Sequence, residues 1–102
     1  MRKRDVGGSS SFRVFETEEF QRSLGKLPPL DARFIRRKLN ERVYPQLRGE
    51  PYLGPNIKKL RWYSPDTWRY RIGRFRVFYG IDEAERTVFI LSVDWRRDAY
   101  RW

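Results

Sequence analysis

Between Trp68 and Ile81 the chain alternates apolar and cationic residues with a period of two, Trp-Arg-Tyr-Arg-Ile before Gly73-Arg74 and Phe-Arg-Val-Phe-Tyr after it. Such alternation fits a strand pair buried on one face only, and Gly at the first central position suits a two-residue type II′ hairpin turn. With that turn, Ile72 falls opposite Phe75, Arg71 opposite Arg76, Tyr70 opposite Val77 and Arg69 opposite Phe78. One face then carries Trp68, Tyr70, Ile72, Phe75, Val77, Tyr79 and Ile81, and the other Arg69, Arg71, Arg76 and Phe78. Arginines directly opposed across two strands repel unless an anion lies over them. Guanidinium groups on a rigid strand pair suit bidentate phosphate binding, against the plainer reading of a solvated face that guards an edge.

The balance of charge agrees with a polyanion or an acidic protein as partner. Lys and Arg number 23 against 13 Asp and Glu, a net charge of +10 in 102 residues, which bears on partners and not on the fold. Neither Cys nor His occurs, so thiol catalysis, zinc sites with the usual ligands and imidazole acid–base chemistry are excluded, and no cofactor is expected. Any chemistry falls to Arg, Lys, Tyr, Asp or Glu.

Residues 1–11 are basic, then rich in Gly and Ser. They lack an apolar run fit for a signal peptide or membrane span, and read as a disordered arm. The remainder, 12–102, reads as one domain. Phe12 to Phe15 suggests a first strand. Thr17 followed by Glu18 and Glu19 suggests a helix start, with the helix running to Leu24 and stopped by Gly25. After Pro28-Pro29, Asp31 is an expected N-cap for a second helix over Ala32 to Leu47, with an apolar stripe of Phe34, Ile35, Leu39, Val43 and Leu47. Residues 49–55 read as a loop. Lys58, Lys59 and Arg61 sit among Ile57, Leu60 and Trp62 in a short extended segment, open between RNA contacts and surface charge. Ser64-Pro65-Asp66 marks a turn. Past an acidic loop at Asp82 to Arg86, Thr87 to Trp95 predicts another strand. A simple register places its Phe89 and Leu91 on the core face, with Ser92 and Asp94 on the arginine face. The sum is an α+β domain: an N-terminal strand, two helices, then an antiparallel β-meander with the helices on one face and a short C-terminal helical tail.

The runs Ile57-Lys58-Lys59-Leu60, Trp68 to Tyr79, Ile90-Leu91-Ser92-Val93 and Arg96-Arg97-Asp98-Ala99-Tyr100 together resemble the RelE/ParE superfamily of toxins over about residues 12 to 101. The resemblance implies a cytoplasmic, ribosome-dependent endoribonuclease acting on mRNA and silenced in a heteromeric complex with an acidic antitoxin. By motif position it implies that Arg69, Arg71, Arg76, Arg96 and Tyr100 carry the activity, with Lys58, Lys59, Arg61, Arg74 and Arg97 as further RNA contacts. Many relatives have Gly-His before the paired arginines where this chain has Asp94-Trp95, so no histidine mechanism transfers. Gyrase inhibition in the ParE manner and a non-catalytic RNA- or ribosome-binding module are the alternatives.

Overall fold

The computed structural model of the protein describes residues 11–95; the basic arm over 1–10 and the tail from Arg96 onward lie outside them. The elements are β1 (Arg13–Glu16), α1 (Glu18–Gly25), α2 (Pro29–Lys38), a π-helical turn (Leu39–Val43), α3 (Tyr44–Gly49), β2 (Ile57–Lys59), β3 (Trp68–Ile72), β4 (Phe75–Asp82) and β5 (Thr87–Trp95). They build the expected α+β fold on a five-stranded sheet ordered β1-β5-β4-β3-β2. β1 joins β5 in parallel, and the other pairs are antiparallel.

The β3–β4 hairpin has the register that the sequence predicts, from Ile72 opposite Phe75 to Arg69 opposite Phe78. Gly73 turns it at φ 58°, a conformation that glycine adopts without the Cβ clash met by other residues.

Helix boundaries depart in instructive ways. Thr17 caps α1 as expected, its hydroxyl accepting from the Phe20 N–H at 3.1 Å. The second helix instead begins at Pro29, with Pro28 as N-cap and no side-chain capping bond. Proline suits the first helical position because its missing N–H has no partner there, so Asp31 falls inside the first turn, where its charge suits the helix dipole.

The expected uniform helix to Leu47 is broken by the π turn. Ile35, Leu39, Val43 and Leu47, all fully buried, recur every four residues, slightly more than the roughly 3.6 of an α-helical turn. A regular helix would carry such a stripe progressively around its axis. The wider π turn swings it back onto the sheet, where it meets Tyr70, Val77, Tyr79, Val88 and Ile90 in the core.

β5 corrects another expectation. Phe78 faces Ser92 but the next residue, Tyr79, faces Ile90, so Leu91 is an extra residue in a β-bulge. Val88 and Ile90 therefore enter the core in place of Phe89 and Leu91, and the Phe89 ring lies edge-on to Phe15 at 5.7 Å. Beyond the bulge the parity recovers and Val93 is buried. Where β1 ends, α1 covers the edge of β5. Thr17 N–H and hydroxyl both donate to the Ile90 carbonyl (3.1 and 2.7 Å), and the Ser23 hydroxyl accepts from Val93 N–H at 3.1 Å.

Glu16 fastens β1 to the helices, accepting from both terminal nitrogens of Arg36 (2.5 and 3.2 Å) and from the Tyr44 hydroxyl (2.5 Å). Partial burial pushes the Glu16 carboxyl pKa up, but the Arg36 and Tyr44 hydrogen bonds outweigh it and hold the group below its ordinary 4.5. Burial and the Glu16 carboxylate together raise the Tyr44 phenol pKa. A carboxyl whose pKa is depressed by folding contributes stability in full above its unfolded value and loses it as pH falls through the folded one. Glu16→Gln is expected to remove about 1–2 kcal/mol at neutral pH. Thermal melts of the two proteins should draw together as pH drops below 4.5; a gap that stays constant into acid would rule out Glu16 ionisation as its source.

Candidate functional site

On the sheet face away from the core, the registers align side chains in rows across the strands. Lys58, Arg69, Phe78 and Ser92 form one row, and Arg71, Arg76 and Asp94 the next. The first row and part of the second line a groove of about 590 Å³, walled by Arg61, Trp62 and Tyr63 from the β2–β3 loop. The bulge at Leu91 turns that side chain into the groove beside Ser92, so an apolar strip runs next to the cations.

Arg76 lies at the groove floor and is wholly buried. Its Nη1 donates to the Phe75 carbonyl at 3.0 Å and the Gly73 carbonyl at 3.3 Å, which fixes the guanidinium against the turn. Asp94 faces it across β5, opposite to Arg71 on β3; the pairing of like charges read in the sequence thus has an acid on its other flank. Half-buried Arg69 lines the groove and donates from Nη1 to the Asn56 carbonyl at 3.0 Å, which anchors its guanidinium.

The expected phosphate clamp of Arg69, Arg71 and Arg76 is not assembled as one cluster. Arg71 is exposed and lies outside the groove, beside a separate hollow of about 290 Å³ with Phe34, Lys38, Arg42 and Asn56. β2 begins only at Ile57, opposite Tyr70, so Arg71 lies one residue past the paired stretch at the sheet border, where its N–H donates to the Asn56 carbonyl at 2.9 Å.

Lys58 and Arg61 line the groove. Lys59 belongs to the opposite parity: its ammonium sits 5.6 Å from the centre of the Trp68 ring and 3.3 Å from Asp66. Arg74 lies over the Trp95 ring at 5.8 Å. Arg96, Arg97 and Tyr100 fall outside the described residues.

Trp62 and Tyr63 are groove residues that the charge pattern does not reveal. The loop that carries them is closed by Leu60 N–H donating to the Thr67 carbonyl at 2.8 Å and by the Thr67 hydroxyl donating to the Pro65 carbonyl at 3.1 Å. A tryptophan between a basic run and a Ser-Pro turn is the only sequence mark of it. Among the described residues no group of acids could hold a metal ion. What the groove offers is charge and aromatic surface in a fixed frame, the elements of phosphate and base contact.

The sequence and its α+β fold have counterparts among known proteins. Residues 16–100 match the family model of the ParE toxin of the type II toxin–antitoxin system parDE. Toxin RelG of Mycobacterium tuberculosis is 38% identical over 86 residues, which cover 83% of this chain and 91% of that protein. The toxin–antitoxin complex RelBE2 of the same organism contains a chain 32% identical, superposing with a TM-score of 0.64 over 84% of this chain and 99% of that one. A RelE variant of E. coli in the free state, 22% identical, shares the fold at a TM-score of 0.60, with 89% of this chain and 88% of that chain covered.

Together these define a type II toxin with an α+β fold. The chain belongs to the RelE/ParE family.

Proposed function

We propose that the protein is a ribosome-dependent endoribonuclease that cuts mRNA in its groove and is silenced by an acidic antitoxin. The observation that carries this reading is the convergence of Lys58, Arg61, Arg69 and Arg76 on one groove, together with an identity above 30% to toxins of the Rel type. In the reaction the 2′-oxygen of a nucleotide attacks its own 3′-phosphorus, the bond to the 5′-oxygen of the next nucleotide breaks, and a cyclic phosphate and a 5′-hydroxyl remain. Lys58, Arg61 and Arg69 hold the backbone so that the attack is in line. Arg76 stabilises the negative charge that grows on the phosphate oxygens. Arg96 adds a further cation, while Tyr100 and Asp94 are the groups assigned to orient or move the protons. Because arginine stays protonated it serves poorly as an acid; this incomplete set makes the free protein slow and gives the ribosome the task of arranging the mRNA.

Gyrase inhibition is a second reading, favoured by the match to the ParE model. Primer extension on a defined mRNA in cell-free translation, with and without ribosomes, separates the two. Cuts at codon boundaries that require ribosomes and fade in Tyr100→Phe are the expected result. Intact mRNA at protein levels that stop growth would overturn it, and a supercoiling assay would then test gyrase.

A further inference from the structure

Trp62 is 96% exposed and holds a backbone φ of 68°. Both features are unfavourable for the folded chain taken alone. A large aromatic left in water forgoes its burial, and a left-handed φ strains any residue but glycine, the sort of strain that collects where a ligand is held. The residue is not at a fraying end: the two loop-closing hydrogen bonds and the Lys59–Asp66 ion pair pin the base of its loop. Tyr63 beside it is 45% exposed, and both line the groove next to Lys58, Arg61 and Arg69. An aromatic face beside a row of cations is how single-stranded nucleic acid is gripped, the cations tracking phosphates and the ring taking a base.

We infer that the Trp62–Tyr63 tip is a nucleobase-stacking platform for single-stranded RNA lying in the groove, with Trp62 as the principal ring. The inference rests on the RNA-cutting reading and adds to it a residue that recognises the substrate without touching the scissile bond. Stacking on a flat ring favours any base over none, so Trp62 sets binding strength and the path of the strand more than sequence choice.

The test is binding, not cleavage. A short, dye-labelled 2′-O-methyl oligoribonucleotide, which cannot be cut by its own 2′-oxygen, is titrated at low salt against the native protein, Trp62→Ala, Trp62→Phe and Lys58→Ala. Exposure makes the Trp62 variants safe for folding. The expected result is binding roughly tenfold weaker or more in Trp62→Ala, largely restored in Trp62→Phe, with RNA quenching the tryptophan emission of the native protein but much less that of Trp62→Phe. Equal binding by native protein and Trp62→Ala, with loss only in Lys58→Ala, would overturn the platform and leave the nuclease reading standing on charge alone. Unchanged RNA binding with loss of the antitoxin in Trp62→Ala would also overturn it, making the ring a protein contact. Absence of oligonucleotide binding by the native protein would overturn the platform too; only if primer extension also found intact mRNA would the nuclease reading fall with it.

Discussion

Arg76→Ala should lower ribosome-dependent mRNA cutting by roughly 100-fold, the order of effect expected when one preorganised group that stabilises a developing oxyanion is removed. Being wholly buried, Arg76 acts through its fixed charge beneath the groove and not by direct contact. The guanidinium is held at the groove floor by the Phe75 and Gly73 carbonyls, so its charge is oriented before substrate arrives. Arg76→Lys keeps the charge but not the planar fork, and an intermediate activity is expected. Truncation also leaves backbone carbonyls short of a donor, at about 1–3 kcal/mol, so cutting is compared at a temperature where thermal melts show both proteins folded. The informative contrast is Arg71→Ala. Exposed at the sheet border, Arg71 should matter only a few-fold. A large loss there, with Arg76→Ala near native, would move the reacting phosphate to the hollow beside Lys38 and Arg42.

The largest effect on stability is expected at Phe20. It is the one fully buried residue of α1, and α1 in turn shields the edge of β5 through Thr17 and Ser23. Phe20→Ala should cost about 3–5 kcal/mol, a large part of the roughly 5–15 kcal/mol that holds an ordinary domain. Urea denaturation measures it directly. With α1 loosened, the β5 edge past Ile90 is bared, so aggregation should accompany the loss. A change below about 1 kcal/mol would mean that α1 is held by its polar contacts and not by this ring.

The hairpin was legible in the sequence because its determinants are local: one glycine fixes the turn, and alternation fixes the faces. The β5 bulge was not, since Val88 to Val93 is apolar at nearly every position and both parities satisfy a buried strand. Only the partner strand decides which residue is the extra one. The π turn was hidden for a related reason, as a four-residue spacing reads as helix whichever way the helix winds. For the groove, clustered arginines marked the correct face, but charge alone could not separate buried Arg76 from exposed Arg71, or Lys58 from Lys59 one residue on. Trp62 escaped because it reads as one apolar flank of the short extended segment that holds Lys58, Lys59 and Arg61, and nothing in that pattern marks its exposure.

The parallel pairing of β1 with β5 also bears on when the protein exists as a working object. Arg13 and Thr87 stand 74 positions apart yet lie side by side, so during vectorial synthesis the first strand emerges from the exit tunnel and waits for its neighbour. Closing so long a stretch of chain is entropically slow, and Leu91, Ser92 and Asp94 bring to the groove a wall that earlier strands cannot supply. A nascent chain without β5 lacks that wall of the groove, so under the proposed function the site is complete only once β5 and the residues that follow it, Arg96 and Tyr100 among them, have been made.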